Sequence, residues 1–139
     1  MREIKFRGKR ELSGKWYVGD FSTDTSEFNR TCDKAYISPH WDKLNSQIRV
    51  VKETVGQYIG LKDKNGREIY EGDVSEASDG EIRIICYDSN QAKYKAVPLH
   101  CYKQYAGQGG WTGYELRNDN RHEVIGNIYE DTHLLEEPK

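Results

Sequence analysis

Residues 50–74 read Val50-Val-Lys-Glu-Thr-Val-Gly-Gln-Tyr-Ile-Gly-Leu-Lys-Asp-Lys-Asn-Gly-Arg-Glu-Ile-Tyr-Glu-Gly-Asp-Val74. Val55, Tyr58 and Ile59 are β-branched or aromatic and suit a pleated strand. Gly56 and Gly60 beside them mark a bulge or a close backbone approach. Asn65-Gly66 supplies the positive φ of a tight turn. Ile69-Tyr70 predicts a short strand, Glu71-Gly72-Asp73 a second turn, and Val74 the start of another strand. By analogy, the turn within Ile69–Val74 has the form of one that feeds a strand of an SH3-like barrel.

The same alternation repeats on either side. Ile4 and Phe6 alternate with Glu3, Lys5 and Arg7, Ser13-Gly14 turns the chain, and residues 15–21 return, so residues 2–21 are expected to form a hairpin. Residues 22–33 are polar and read as an exposed loop. Ala35-Tyr36-Ile37 is a short apolar run closed by Ser38-Pro39, and residues 40–48 have room for a helical turn. Downstream, Asp79-Gly80 leads into Ile82–Tyr87, Asp88-Ser89-Asn90 leads into Lys93–Val97, and Glu123–Tyr129 reads as a strand. Residues 99–110 look irregular and end in Gly107-Gln-Gly-Gly110. Trp111–Leu116 is a further strand candidate, and Arg117–Arg121 a polar turn. Glu130–Leu135 closes with a helical turn capped by Asp131 or Thr132. Thr54–Gly60 and Glu123–Tyr129 share a glycine among β-branched and aromatic residues and are candidates to pair with each other.

Helical periodicity is almost absent. Short strands with frequent turns predict a mostly β chain: a small barrel-like or sandwich-like antiparallel sheet with an N-terminal hairpin and little helix. The expected organisation is one domain over 1–139, with 1–48 as a candidate N-terminal subdomain and 49–135 as the main barrel. Leu, Ile, Val and Phe make up 27 of the 139 residues, few for a folded chain. Ten Tyr, three Trp and a net charge of only −2 restore the case for a core, with aromatic burial replacing aliphatic burial. No apolar run reaches the ~20 residues of a membrane span. No apolar stretch follows the charged start, so neither membrane nor signal peptide is expected. Cys32, Cys86 and Cys101 are odd in number and widely spaced, which suits reduced thiols in a cytoplasmic protein better than disulfides or a metal knuckle.

Four pieces resemble the YopX protein family of phages, prophages and bacterial mobile elements. They are Met1–Arg7, Thr54–Val74, the strand from Ile82, and Glu123–Glu130. Gly8-Lys9 and Ser75–Ser78 depart from that pattern, and residues 22–48 and 99–121 match no part of it. The resemblance implies a β-rich fold and a bacterial cytoplasmic setting. It implies no reaction, because the shared residues are glycines, turn Asp and Asn, and strand aromatics, which a fold needs.

The residues themselves point away from catalysis. Asp63, Glu68, Glu71 and Asp73 cluster in sequence and could act as acid and base, but turn Asp residues ordinarily accept backbone N–H bonds. His40, His100, His122 and His133 form no metal-ligating pair. His100-Cys101 could serve as a thiol–imidazole pair, against which a buried Cys on a strand is the simpler account. No catalytic residue, metal or cofactor is therefore assigned, and an enzyme is the least favoured class.

Binding is the better expectation. Tyr105, Trp111 and Tyr114, interleaved with Arg117 and Arg121 around the Gly-rich loop, have the mixture of stacking rings and cations that single-stranded nucleic acid requires. Lys62, Lys64 and Arg67 flank the central turn. Against this stands a pI of about 6.1. Residues 1–70 carry 14 basic and 10 acidic side chains and residues 71–139 carry 7 and 13, so the basic first ten residues could attract phosphate, the acidic half of the chain, or a neighbouring copy. Opposed charge and abundant Tyr and Trp favour a homo-oligomer. The sequence thus predicts a non-catalytic, self-associating protein first and a nucleic-acid-binding module second.

Overall fold

The computed structural model describes residues 3–23, 34–41, 46–105, 110–117 and 121–136. Its elements are β1 (Phe6–Lys9), β2 (Trp16–Thr23), β3 (Ala35–Pro39), β4 (Ile48–Val50), β5 (Gly56–Lys62), β6 (Glu68–Tyr70), β7 (Asp73–Ala77), β8 (Ile82–Asp88), β9 (Lys93–Pro98), α1 (Leu99–Tyr105), β10 (Tyr114–Glu115) and β11 (His122–Asn127). Short 3-10 turns lie at Lys52–Thr54 and Thr132–Leu135. The strands form two antiparallel sheets, ordered β4-β3-β2-β1-β5-β6 and β10-β9-β8-β7-β11. The mostly β expectation holds. Both strand orders are open, so of the two architectures expected the sandwich-like one remains and the closed barrel does not.

The chain divides into two compact units, Met1–Tyr58 and Ile59–Lys139. In the first unit the expected hairpin is β1 and β2, in register from Phe6 opposite Gly19 to Lys9 opposite Trp16. Gly14 takes the left-handed conformation in its turn, at φ 67°. Phe6, Tyr17 and Phe21 point to one side of the sheet and pack on buried Ala35, Ile37 and Val50. Strand β2 lies close to β3 at Gly19, where a Cβ would stand 2.6 Å from the Ser38 carbonyl carbon.

In the second unit the five-stranded sheet buries both faces. Ile59, Leu61 and Ile69 lie against Ile85, Ala96 and Val124 on one side. Val74, Ile84, Cys86 and Val97 pack with Cys101, Leu99 and Tyr102 of α1 on the other. Two-sided burial explains the apolar run Ile84-Ile85-Cys86 within β8. The turns marked by Gly66, Gly72 and Gly80 all adopt positive φ.

Several expectations fail. Thr54–Gly60 and Glu123–Tyr129 do not pair: β5 partners β1 and β6, and β11 partners β7. Residues 99–105 are helical rather than irregular, which puts Cys101 on a helix, not a strand. Only Tyr114 and Glu115 of the 111–116 segment form a strand. Asp131 precedes the last 3-10 turn without capping it, because its carboxylate accepts the Asn127 N–H at 3.0 Å instead. Most of the expected 22–33 loop, part of the 40–48 turn, Gly107–Gly109, Cys32 and the middle of the 117–121 turn lie outside the described residues. Among the described residues no helix is long and apolar enough to cross a membrane.

Candidate functional site

Cross-strand register sorts the first unit's side chains into two faces, because directly opposed residues point the same way. Arg7 opposes Val18, Lys9 opposes Trp16, Asp20 opposes Ser38 and Tyr36 opposes Arg49. These form the face away from the Phe6–Tyr17–Phe21 core. On it Lys5 lies over Tyr58 at 5.0 Å and the buried Arg7 over Trp16 at 5.0 Å, and at the strand end Lys15 lies over Tyr17, on the core side, at 5.4 Å. A cleft of about 470 Å³ is lined by Lys5, Lys15, Trp16, Tyr17, Val18 and His40, with Glu3 and Trp41 completing it. The Trp41 ring is 75 % exposed. Glu3 accepts from Lys5 at 3.2 Å and Asp20 pairs with His40 at 2.8 Å. Sequence inspection missed this site because Lys5, Lys15 and Trp41 come together only once the strand order is known.

All five residues singled out from sequence lie in the second unit, and one cleft gathers three of them. Tyr114, Arg117 and Arg121 line a cleft of about 470 Å³ with Arg83, His122 and Asp79. The Arg83 guanidinium lies 3.9 Å over the Tyr114 ring, and its Nε donates to Glu81 at 2.8 Å. Glu115 accepts from Lys93 at 3.0 Å and faces Arg117 at 3.7 Å. These partners, Lys93 first, hold its carboxyl below the usual range. Trp111 does not join them. It stacks on Tyr102 at 5.3 Å with the rings 7° from parallel. Its backbone is clamped, with its N–H donating to Asp88 Oδ2 at 3.1 Å and its carbonyl accepting from Lys95 Nζ at 2.8 Å. The Tyr105 side chain lies outside the described residues. Arg83 was missed because it sits inside a stretch that reads as strand, and His122 because it was weighed only as a metal ligand.

A family model described as "YopX protein" matches residues 5–136. The chain belongs to the YopX family. Its structure is similar to the crystal structure of protein EF1440 from Enterococcus faecalis, with a TM-score of 0.50 and 20% sequence identity over 98% of this chain and 100% of that one. At that identity the likeness speaks to fold alone. None of the curated proteins compared matches the chain.

The carboxylates of this YopX-family chain serve the fold, as the turn chemistry predicts. Asp63 accepts the N–H groups of Asn65, Arg67 and Val124 at 2.8–2.9 Å. Burial pushes its carboxyl up, and the three backbone donors more than reverse that, so it ends below the ordinary value. Asp73 accepts the Tyr70 N–H at 2.8 Å. Burial pushes Glu71 up. Burial, and after it the Glu71 charge, pushes the Cys86 thiol up to about 12, which leaves it a poor nucleophile. Cys101 is buried while His100 is exposed, so neighbours in sequence face different environments. Among the described residues no group of three or more His, Cys, Asp or Glu is placed to hold a metal ion.

Proposed function

We propose that the protein is a non-catalytic binding module that takes single-stranded nucleic acid on the cation-and-aromatic face of its first unit. The observation that carries this is the open Trp41 ring at a cleft whose walls are Lys5, Lys15, Trp16 and Tyr17. An exposed indole forgoes burial worth roughly 25 cal/mol per Å². A stacked base would recover it, and Lys15 and Arg49, both exposed, are available to phosphate. Charge supports the same surface: residues 1–58 carry eleven Lys and Arg against eight Asp and Glu, whereas residues 59–139 carry ten against fifteen. Self-association through sheet edges is the weaker reading. Strands β4, β6 and β10 are three, three and two residues long, and β11 carries an irregularity between Val124 and Gly126, features that discourage pairing between copies.

Fluorescence anisotropy of labelled oligo-dT, at low and raised salt, tests the proposal. Wild-type protein binds at low salt, and Trp41→Ala weakens binding roughly tenfold or more, the scale of losing one base stack at about 1–3 kcal/mol. The double change Lys15→Ala with Arg49→Ala flattens the slope of log affinity against log salt by about 1.4, at about 0.7 per cation for a single strand. Absence of binding at low salt, or indifference to Trp41→Ala, rejects it.

A further inference from the structure

We infer that the arginine cleft of the second unit is a separate site for a small phosphate monoester. Three guanidinium groups, from Arg83, Arg117 and Arg121, line one concavity with the imidazole of His122. They come from different strands and loops, so the cluster is a product of the fold and not of a basic run in sequence. A volume of about 470 Å³ falls in the size class of small-molecule sites.

Among the described residues, four cations around the cleft, Arg83, Arg117, Arg121 and Lys93, face three carboxylates, Asp79, Glu81 and Glu115. Glu81 is committed to Arg83 Nε, which leaves that guanidinium's terminal nitrogens as donors for a ligand. Glu115 is shared between Lys93 and Arg117, with Lys93 the nearer cation at 3.0 Å against 3.7 Å. Asp79 is occupied in its own turn, accepting the Glu81 N–H at 2.9 Å. Arg83 is also held in place: its side chain is 12 % exposed and rests on the Tyr114 ring. One guanidinium is thus preorganised, and the more exposed Arg117 and Arg121 can close on an anion from the rim.

The geometry favours phosphate over carboxylate. Planar guanidinium forks match the oxygens of a phosphate, whose three terminal oxygens and double charge can engage several forks at once. It also favours a small ligand over a polymer. The excess of Asp and Glu over residues 59–139 opposes a long polyanion beyond the cleft, whereas a single phosphate inside it meets three arginines against the carboxylates of Asp79 and Glu115. This inference is therefore independent of the nucleic-acid surface proposed for the first unit.

Isothermal titration of the full chain with AMP, inorganic phosphate, pyrophosphate and malonate tests it. AMP and inorganic phosphate are expected to bind, malonate at least tenfold more weakly. Arg117→Ala with Arg121→Ala, both at exposed positions, is expected to weaken AMP at least tenfold while leaving oligo-dT affinity within twofold. Arg83→Lys, checked for folding by circular dichroism, is expected to weaken AMP similarly, because lysine keeps the charge and loses the fork. Absence of heat with every phosphate probe, malonate binding equal to AMP, or AMP binding untouched by the Arg117/Arg121 double change would overturn the assignment. Loss of oligo-dT binding in that double variant would move the nucleic-acid surface to this cleft and defeat both proposals together. Loss of oligo-dT binding in Trp41→Ala alone would leave this site standing.

Discussion

The two units spend their charges differently. In the second, carboxylates turn inward: Asp63, Asp73 and Asp88 are each at most 3 % exposed and each accepts backbone N–H groups from a turn or an incoming strand. In the first, no carboxylate is buried among the described residues, and the cations that are covered lie over aromatic rings instead, Lys5 over Tyr58 and the buried Arg7 over Trp16. A buried carboxylate is a structural device, whereas the exposed Lys15 and Arg49 of the first unit are available to a partner. The difference teaches that net charge by halves understates the contrast, since much of the second unit's acidity is occupied in holding turns.

Breaking the comparison at its strongest point means removing Asp63. Its two oxygens satisfy three backbone donors, one of them on β11, some sixty residues away in sequence. Asp63→Ala strands those donors in a site that stays largely closed to water. The expected cost is about 4 kcal/mol of stability, from one to a few kcal/mol per unsatisfied buried group. Urea unfolding should show the midpoint falling steeply. Asn at the same position keeps one carbonyl acceptor and should recover part of the loss. A change under about 1 kcal/mol for the Ala variant would mean that the inward carboxylates are not what holds the second unit.

Asp63 also measures what the sequence disclosed. Asp-Lys-Asn-Gly announced its turn, and Gly72 and Gly80 announced theirs, because positive φ is a local demand that a few residues must meet. The reach from Asp63 to Val124 was not legible, since nothing local specifies which strand arrives beside a turn. Helix α1 was missed because seven residues after Pro98 are too few to display a period. Trp111 looked like a stacking platform, and it does stack, but on Tyr102 of its own core. Of the sequence-chosen binding residues, Tyr114, Arg117 and Arg121 share a cleft because they lie on and beside β10 and next to β11. Arg83 and Trp41 needed strand order to be recognised as members of a site.

A second test sharpens the contrast with acid. Asp63 lies below its ordinary value, and Asp88 is lowered to about 2, first by Lys95 Nζ at 2.7 Å and then by the Trp111 N–H. A carboxylate with a depressed folded-state pKa contributes stability that is fully present above its unfolded value, about 3.9. That contribution is lost as pH falls through the folded value. Glu71, raised by burial, works the other way and gains on protonation. Two structural carboxylates against one give a net loss for the second unit between about pH 4 and about pH 2. Amide hydrogen exchange should report it: protection in β7, β8 and β11 should fall first, ahead of β1, β2 and β3. The reverse order would break the comparison.

The smallest expected effect lies in the first unit, where hydroxyl and glycine contacts replace carboxylates. Thr54 is 7 % exposed; its Oγ1 accepts the Lys9 N–H at 3.0 Å and donates to the Val51 carbonyl at 2.6 Å. It thereby ties the end of β1 to the 3-10 turn before β5. Thr54→Ala removes two neutral hydrogen bonds and should cost about 1–2 kcal/mol, well short of Asp63→Ala because no ion is involved. Thr54→Ser keeps the hydroxyl and should recover most of it. Lys9 sits opposite Trp16 on the proposed nucleic-acid face, but four β1–β2 pairings fix its strand independently of Thr54. Oligo-dT affinity in Thr54→Ala should therefore stay within twofold of wild type while urea stability falls. If affinity dropped in step with stability, the face would owe its geometry to this one hydroxyl, and the first unit would depend on a buried polar anchor as the second does.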